Sequence, residues 1–288
     1  MIENAPAEYG FSKLPATLFL AAAAVVAAIL IFLSPLRRVI RESFMQRVTS
    51  AHYEILCPVG ALSQGTMDEF AKQREPLFAA LNKKIGNAGS NATIRIILDP
   101  EFERSLPGDG LFKTPLYMVS GTTIRVRLDW TYTQLLAAAD AEALLNAAWG
   151  KPGNPELSWW ITTWLVGNWR GTEIGMAAAE AEQRLGHKKV EALLQNPGGE
   201  ISSFNDQTLL GAAWISEIAE FGGAEAVRKL YAAKMAHPNI AEAAQALGTT
   251  PLELNRKWQL WMYSYLAGMP SMPHDSGMPM SMPMPASH

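Results

Sequence analysis

Twenty consecutive uncharged residues, 14–33, place the first constraint on this chain. At about 1.5 Å of rise per residue, a helix of that length covers the roughly 30 Å of bilayer hydrocarbon. The run therefore predicts one transmembrane helix, preceded by a polar tail at residues 1–13, with the lipid bilayer as the partner of residues 14–33. A cleaved signal peptide fits less well. Only Lys13 supplies a basic start, the apolar run is too long, and it ends in Ser34-Pro35-Leu36-Arg37-Arg38 instead of small residues. Ala24 and Ala28 form a small-xxx-small pair that lets two such helices approach closely.

Arg37, Arg38, Arg41 and Arg47 follow the span, while Lys13 alone precedes it beside Glu3 and Glu8. The positive-inside rule then places the bulk of the chain in the cytoplasm. Residues 34–50 read as a basic stalk at headgroup level, with Val39, Ile40, Phe44 and Val48 on its apolar side. The expected localisation is a single-pass membrane protein.

The remaining length allows a real core, so folding requires no disulfide. The single cysteine, Cys57, reads as a small buried thiol. A net charge of −3 and a pI near 6.0 exclude a nucleic-acid partner on electrostatic grounds.

Residues 51–267 read as one globular domain of α+β class: a small strand-rich N-terminal lobe followed by a mostly helical lobe. His52 to Pro58 predicts a strand closed by proline. Helical spacing follows at Met67, Phe70, Leu77, Phe78 and Leu81. Residues 93–98 and 117–119 are strand-like, and residues 122–128 alternate, with Ile124, Val126 and Leu128 opposite Arg125 and Arg127. Helices are expected at 134–149, at about 157–169 and at 173–185, with Gly-His-Lys-Lys around His187 as an exposed turn. Further helices are expected at 206–221, closed by Gly222-Gly223, then at 224–235, 240–247 and 251–266. The last is the best specified: Thr250 suits the N-cap, Pro251 the first helical position, and Glu253 completes a capping box. Its Leu254, Trp258, Trp261, Met262 and Tyr265 form one stripe, read as core.

A zinc-peptidase helix needs histidines at i and i+4 with a glutamate after the first. Ala141, Glu142 and Leu145 stand at that spacing. With the strand at 122–128, Trp164-Leu165 and the Gly-Thr-Thr-Pro-Leu-Glu-Leu start of the last helix, the chain resembles the peptidase MA-like (gluzincin) family from about residue 52 to 267. The resemblance implies a zincin-like fold and an extracytoplasmic domain, so the membrane side stays open between it and the charge rule. It also implies that Glu142 occupies the general-base position. The histidine positions hold Ala141 and Leu145, and the downstream glutamate position, in a Trp-Leu-Ser-Glu-Gly-like segment, holds Gly167. None of these three offers a lone pair to zinc. The expected function is a catalytically inactive module, a pseudoenzyme retained for binding or assembly, with no catalytic residue and no zinc cofactor.

Two alternatives come from other features. Trp159, Trp160, Trp164 and Trp169, near Lys151 and Arg170, offer large rigid contact area for another protein, a peptide or a glycan, or the lining of an enzyme cleft of unrecognised chemistry. The tail at 268–288 cannot build a core, but its thioethers and imidazoles suit copper(I): Met269, Met272, His274, Met278, Met280, Met282, Met284 and His288. A copper-handling membrane protein is the corresponding alternative.

Overall fold

A computed structural model describes Val25 and residues 41–99, 117–127, 133–195, 204–235 and 238–267. Apart from Val25, the expected transmembrane segment 14–33 lies outside the described residues, as does the Met/Pro-rich tail. No helix among the described residues is long and apolar enough to cross a membrane.

The domain is of mixed α+β class. Among the described residues five strands form one sheet: β1 (Met45–Thr49), β2 (Tyr53–Pro58), β3 (Ile94–Leu98), β4 (Tyr117–Ser120) and β5 (Thr123–Val126), in spatial order β1-β2-β3-β5-β4. The inner pairs β2–β3 and β3–β5 are parallel, while β1 and β4 close the edges antiparallel. Parallel neighbours need a crossover, and between β2 and β3 it is helix α1 (Gln64–Lys84). Register places Ile55 beside Ile96 and Ile96 beside Ile124, all fully buried towards the helices. On the opposite face Glu54 stands beside Arg95, with Arg95 Nε 3.1 Å from Glu54 Oε2. Glu42 bridges Arg95 and Arg125 on that same face.

β1 corrects the stalk reading. Residues 45–49 were expected to continue a basic amphipathic segment, but they pair with β2. Val48 turns into the core, and Arg47 pairs with Glu54 at 3.0 Å. The alternation that suggested an apolar side is the two-residue period of a strand.

Helices α1 and α2 (Thr133–Trp149) cover one face of the sheet. Behind α2 comes α3 (Pro155–Val166), and α3 packs along α6 (Phe204–Ala232), the spine of the helical lobe. Around α6 stand α4 (Ile174–Leu185), α5 (His187–Gln195), α7 (Ile240–Leu247) and α8 (Pro251–Leu266). Gly211 explains the closeness of the central pair, because a Cβ there would stand 2.1 Å from the Trp160 ring. Trp160 in turn meets Trp214 edge-on, with centroids 6.3 Å apart.

One further expectation changes. His187 opens helix α5 instead of lying in an exposed turn, and its Nδ1 lies 2.8 Å from Glu182 Oε1. The break expected at Gly222-Gly223 is present: Gly223 adopts the non-helical φ 66°, ψ −174°, so α6 is two helical segments that meet at a kink. The capping of α8 is half as expected. Glu253 N donates to Thr250 Oγ1 at 3.2 Å, but the Glu253 carboxylate accepts a hydrogen bond from the Thr249 hydroxyl at 2.8 Å.

Candidate functional site

Helix α2 is enclosed on nearly every side, by the sheet, α1 and α3. An Ala/Leu-rich sequence suits that position because it fills the space with few polar atoms. Ala141, Ala143, Leu144 and Leu145 are all fully buried. The two histidine positions of the resemblance are therefore part of the apolar core. Beside them, Asp140 is also fully buried, held by the Arg74 guanidinium from α1 and by the Tyr53 hydroxyl at 3.3 Å. Burial pushes the Asp140 carboxyl up to about 6, while Arg74 and Tyr53 pull it down. Burial and the charge of Asp140 raise the Tyr53 phenol.

Glu142 points elsewhere. It is half-buried, and its carboxyl is raised by burial. Its charge helps raise Tyr117 of edge strand β4 and Tyr231 of α6, in both cases after burial itself; Tyr231 reaches about 12. One helical turn on, Asn146 Oδ1 stands 3.2 Å from the Tyr231 hydroxyl, which also lies 3.1 Å from the Gly150 carbonyl. Glu142 thus faces two phenols between a sheet edge and the helical lobe.

Gly167 lies against a different partner. It caps α3 in a left-handed conformation, φ 85°, and a Cβ there would stand 2.5 Å from Lys84 Nζ. Lys84 closes the last turn of α1 and donates to the Leu165 carbonyl at 3.0 Å. Its ammonium thus meets the C-terminal ends of two helices, where partial negative charge gathers. Burial holds the Lys84 pKa below the ordinary lysine value.

Around Lys84 a polar recess of about 160 Å³ opens, lined also by Trp164, Glu173, Glu220, Trp261 and Tyr265. Trp261 Nε1 donates to Glu220 at 2.9 Å, and the Tyr265 hydroxyl donates to Glu173 at 3.0 Å. Perturbed titratable groups in a cleft mark a candidate site on physical grounds. The sequence reading missed Lys84, Glu173, Glu220 and the outward role of Trp261 and Tyr265. The aromatic pair sits on a helical stripe, and half of that stripe is core. The one available signal was the Lys83-Lys84 pair ahead of Gly86.

The four tryptophans do not share one cleft. Trp159 is 51 % exposed and lies with Trp160 and Glu156 on a recess of about 330 Å³, whereas Trp160 is mostly core. Trp164 belongs to the Lys84 recess. Trp169 sits in the hairpin of β6 (Asn168–Trp169) and β7 (Thr172–Glu173), whose turn residues Arg170 and Gly171 both have positive φ. The Arg170 guanidinium stands 5.8 Å from the Trp169 ring centroid.

No group of three His, Cys, Asp or Glu side chains that could hold a metal ion occurs among the described residues. His52 is paired with Glu75, its Nδ1 2.6 Å from Oε2. His237 and the tail residues Met269, Met272, His274, Met278, Met280, Met282, Met284 and His288 lie outside the described residues. Comparison with protein-family models, curated proteins and solved structures gives no match.

Proposed function

We propose that this chain is a single-pass, membrane-anchored protein whose globular domain is a catalytically inactive gluzincin-like module acting by binding. The observation that carries the reading is the complete burial of Ala141 and Leu145 beside a half-buried Glu142. A histidine at either position would have to displace packed apolar atoms as well as supply a ligand, and overpacking a tight core costs about 1–3 kcal/mol. Support also comes from element order: a mixed sheet, then the enclosed helix α2, a Gly/Pro-rich break, α3 and a helical lobe. Gly167 adds to it, because the ammonium of Lys84 at that position repels a metal dication.

Binding is assigned to the Lys84 recess. A peptide or glycan segment entering there meets indole and phenol surfaces together with groups of both charges. The bilayer remains the partner of residues 14–33, and a reporter fused to the C-terminus distinguishes a cytoplasmic from an extracytoplasmic domain.

The test uses the full chain purified in mild detergent. Metal analysis is expected to find far less than one zinc per chain, and a casein-cleavage assay to find no activity that differs between the parent and Glu142→Gln. Stoichiometric zinc with cleavage that disappears in Glu142→Gln overturns the proposal.

A further inference from the structure

Beyond the Lys84 recess, and independent of the reading above, a second and larger cavity lies among α6, α7 and α8. It holds about 370 Å³, within the range of small-molecule sites. Its walls come from α6 on both sides of the Gly223 bend, from the C-terminal end of α7 and from the first turns of α8.

The chemistry of the lining is unusual. Glu217 lines the cavity and is 0 % exposed, yet neither carboxylate oxygen has a hydrogen-bond partner among the described residues. A buried carboxyl left unsatisfied costs free energy, so one expects a compensating partner. The nearby charges do not supply it. Lys257 of α8 acts on Glu217 through space, but its ammonium is paired with Glu253 at 2.9 Å. Glu225 pairs with Arg228 at 3.2 Å, and Glu220 of α6 adds like charge. Lys229 completes the charged lining, and α7 contributes only Leu247, Gly248 and Thr249.

One helical turn from Glu217, Phe221 lines the same cavity and is 52 % exposed as a residue, with Lys257 Nζ 5.9 Å from its ring centroid. Ile218, Leu247 and Leu254 provide apolar wall. A buried carboxyl without a partner in the wall, an aromatic face and an apolar side together match a cation on a short hydrocarbon stem.

We propose that this cavity is a binding site for a small organic cation, a primary ammonium or guanidinium group whose charge pairs with Glu217 and whose stem packs on Phe221. The free site holds Glu217 mainly as the neutral acid, since burial raises its carboxyl to about 8. Binding then displaces one proton from the carboxyl to solvent, and the cation takes its place.

Isothermal titration of the full chain in detergent tests this with n-butylammonium and methylguanidinium, with 1-butanol as the neutral control. Saturable binding of at least one cation, and none of butanol, is expected. Affinity should rise by up to about tenfold per pH unit between pH 6 and 8, as proton displacement requires. Glu217→Gln, which keeps the shape of the neutral acid, should weaken binding at least tenfold, and Phe221→Ala, at an exposed position, a few-fold. Equal binding by parent and Glu217→Gln, equal binding of butanol, or no saturation by either cation at millimolar concentration overturns the proposal. In the last case Glu217 is a buried neutral acid and nothing more.

Discussion

Two carboxyl groups in this domain are equally removed from water, Asp140 in the lobe that holds the sheet and Glu217 in the helical lobe. Asp140 was given a cation, because α1 crosses α2 where Arg74 reaches it, and Arg74 itself lies over the rings of Tyr53 and Phe70. Glu217 was given a cavity. Desolvation dominates both, lifting Asp140 from 3.8 to about 6 and Glu217 from 4.5 to about 8, but only Asp140 has a neighbour strong enough to oppose it. A charge paired inside a core registers two elements against each other, whereas Glu217 has no such hydrogen-bonded partner among the described residues.

The largest effect should come from breaking the satisfied member. Arg74→Met leaves Asp140 buried without its cation and is expected to cost about 3–5 kcal/mol in urea unfolding followed by tryptophan fluorescence. The double variant Arg74→Met, Asp140→Leu should recover most of that loss. If it does not, Arg74 matters through its ring contacts and the contrast with Glu217 weakens.

Changing the unsatisfied member should act in the opposite direction. The Glu217 carboxyl stands above its unfolded value, so its contribution is fully present below about pH 4.5 and is lost as pH rises towards about 8. Glu217→Gln removes that loss. The variant should match the parent at pH 4.5 and exceed it at pH 8 by on the order of 2–4 kcal/mol. Parallel stability curves across that range would show that Glu217 has a cation partner after all.

Glu142 is the intermediate case, half-buried and facing phenols. Glu142→Gln is expected to raise stability at pH 7, by less than about 1 kcal/mol, because it relieves the desolvation of a half-buried carboxyl and breaks no ion pair. A loss comparable to that of Arg74→Met would make Glu142 a structural residue of the same kind as Asp140.

Much of the fold was legible where local chemistry and tertiary position agree. The strand at 123–126 announced itself by alternation, and its buried Ile124 and Val126 lie on the face expected. Helix α8 announced itself by Thr250 and Pro251, and helix α7 by Gly248, which ends it at φ 69°. Strand β1 was hidden because five residues with one arginine and one valine suit a strand or an interfacial helix equally, until β2 is there to pair with. The His187 helix was hidden because two lysines after a glycine look like a turn until α4 presents Glu182.

The candidate site divides along the same line. The substitutions Ala141, Leu145 and Gly167 needed only the sequence, since no fold gives those side chains a lone pair. Residue identity likewise determined the twenty-residue uncharged run and the Met-rich tail. Packing alone decided that Gly167 meets Lys84, that the four tryptophans separate, and that Asp140 is paired while Glu217 is not. These outcomes depend on which helices cross and at what depth. Crossing is set by side chains distant in sequence, and the dielectric around a charge exists only once they have met.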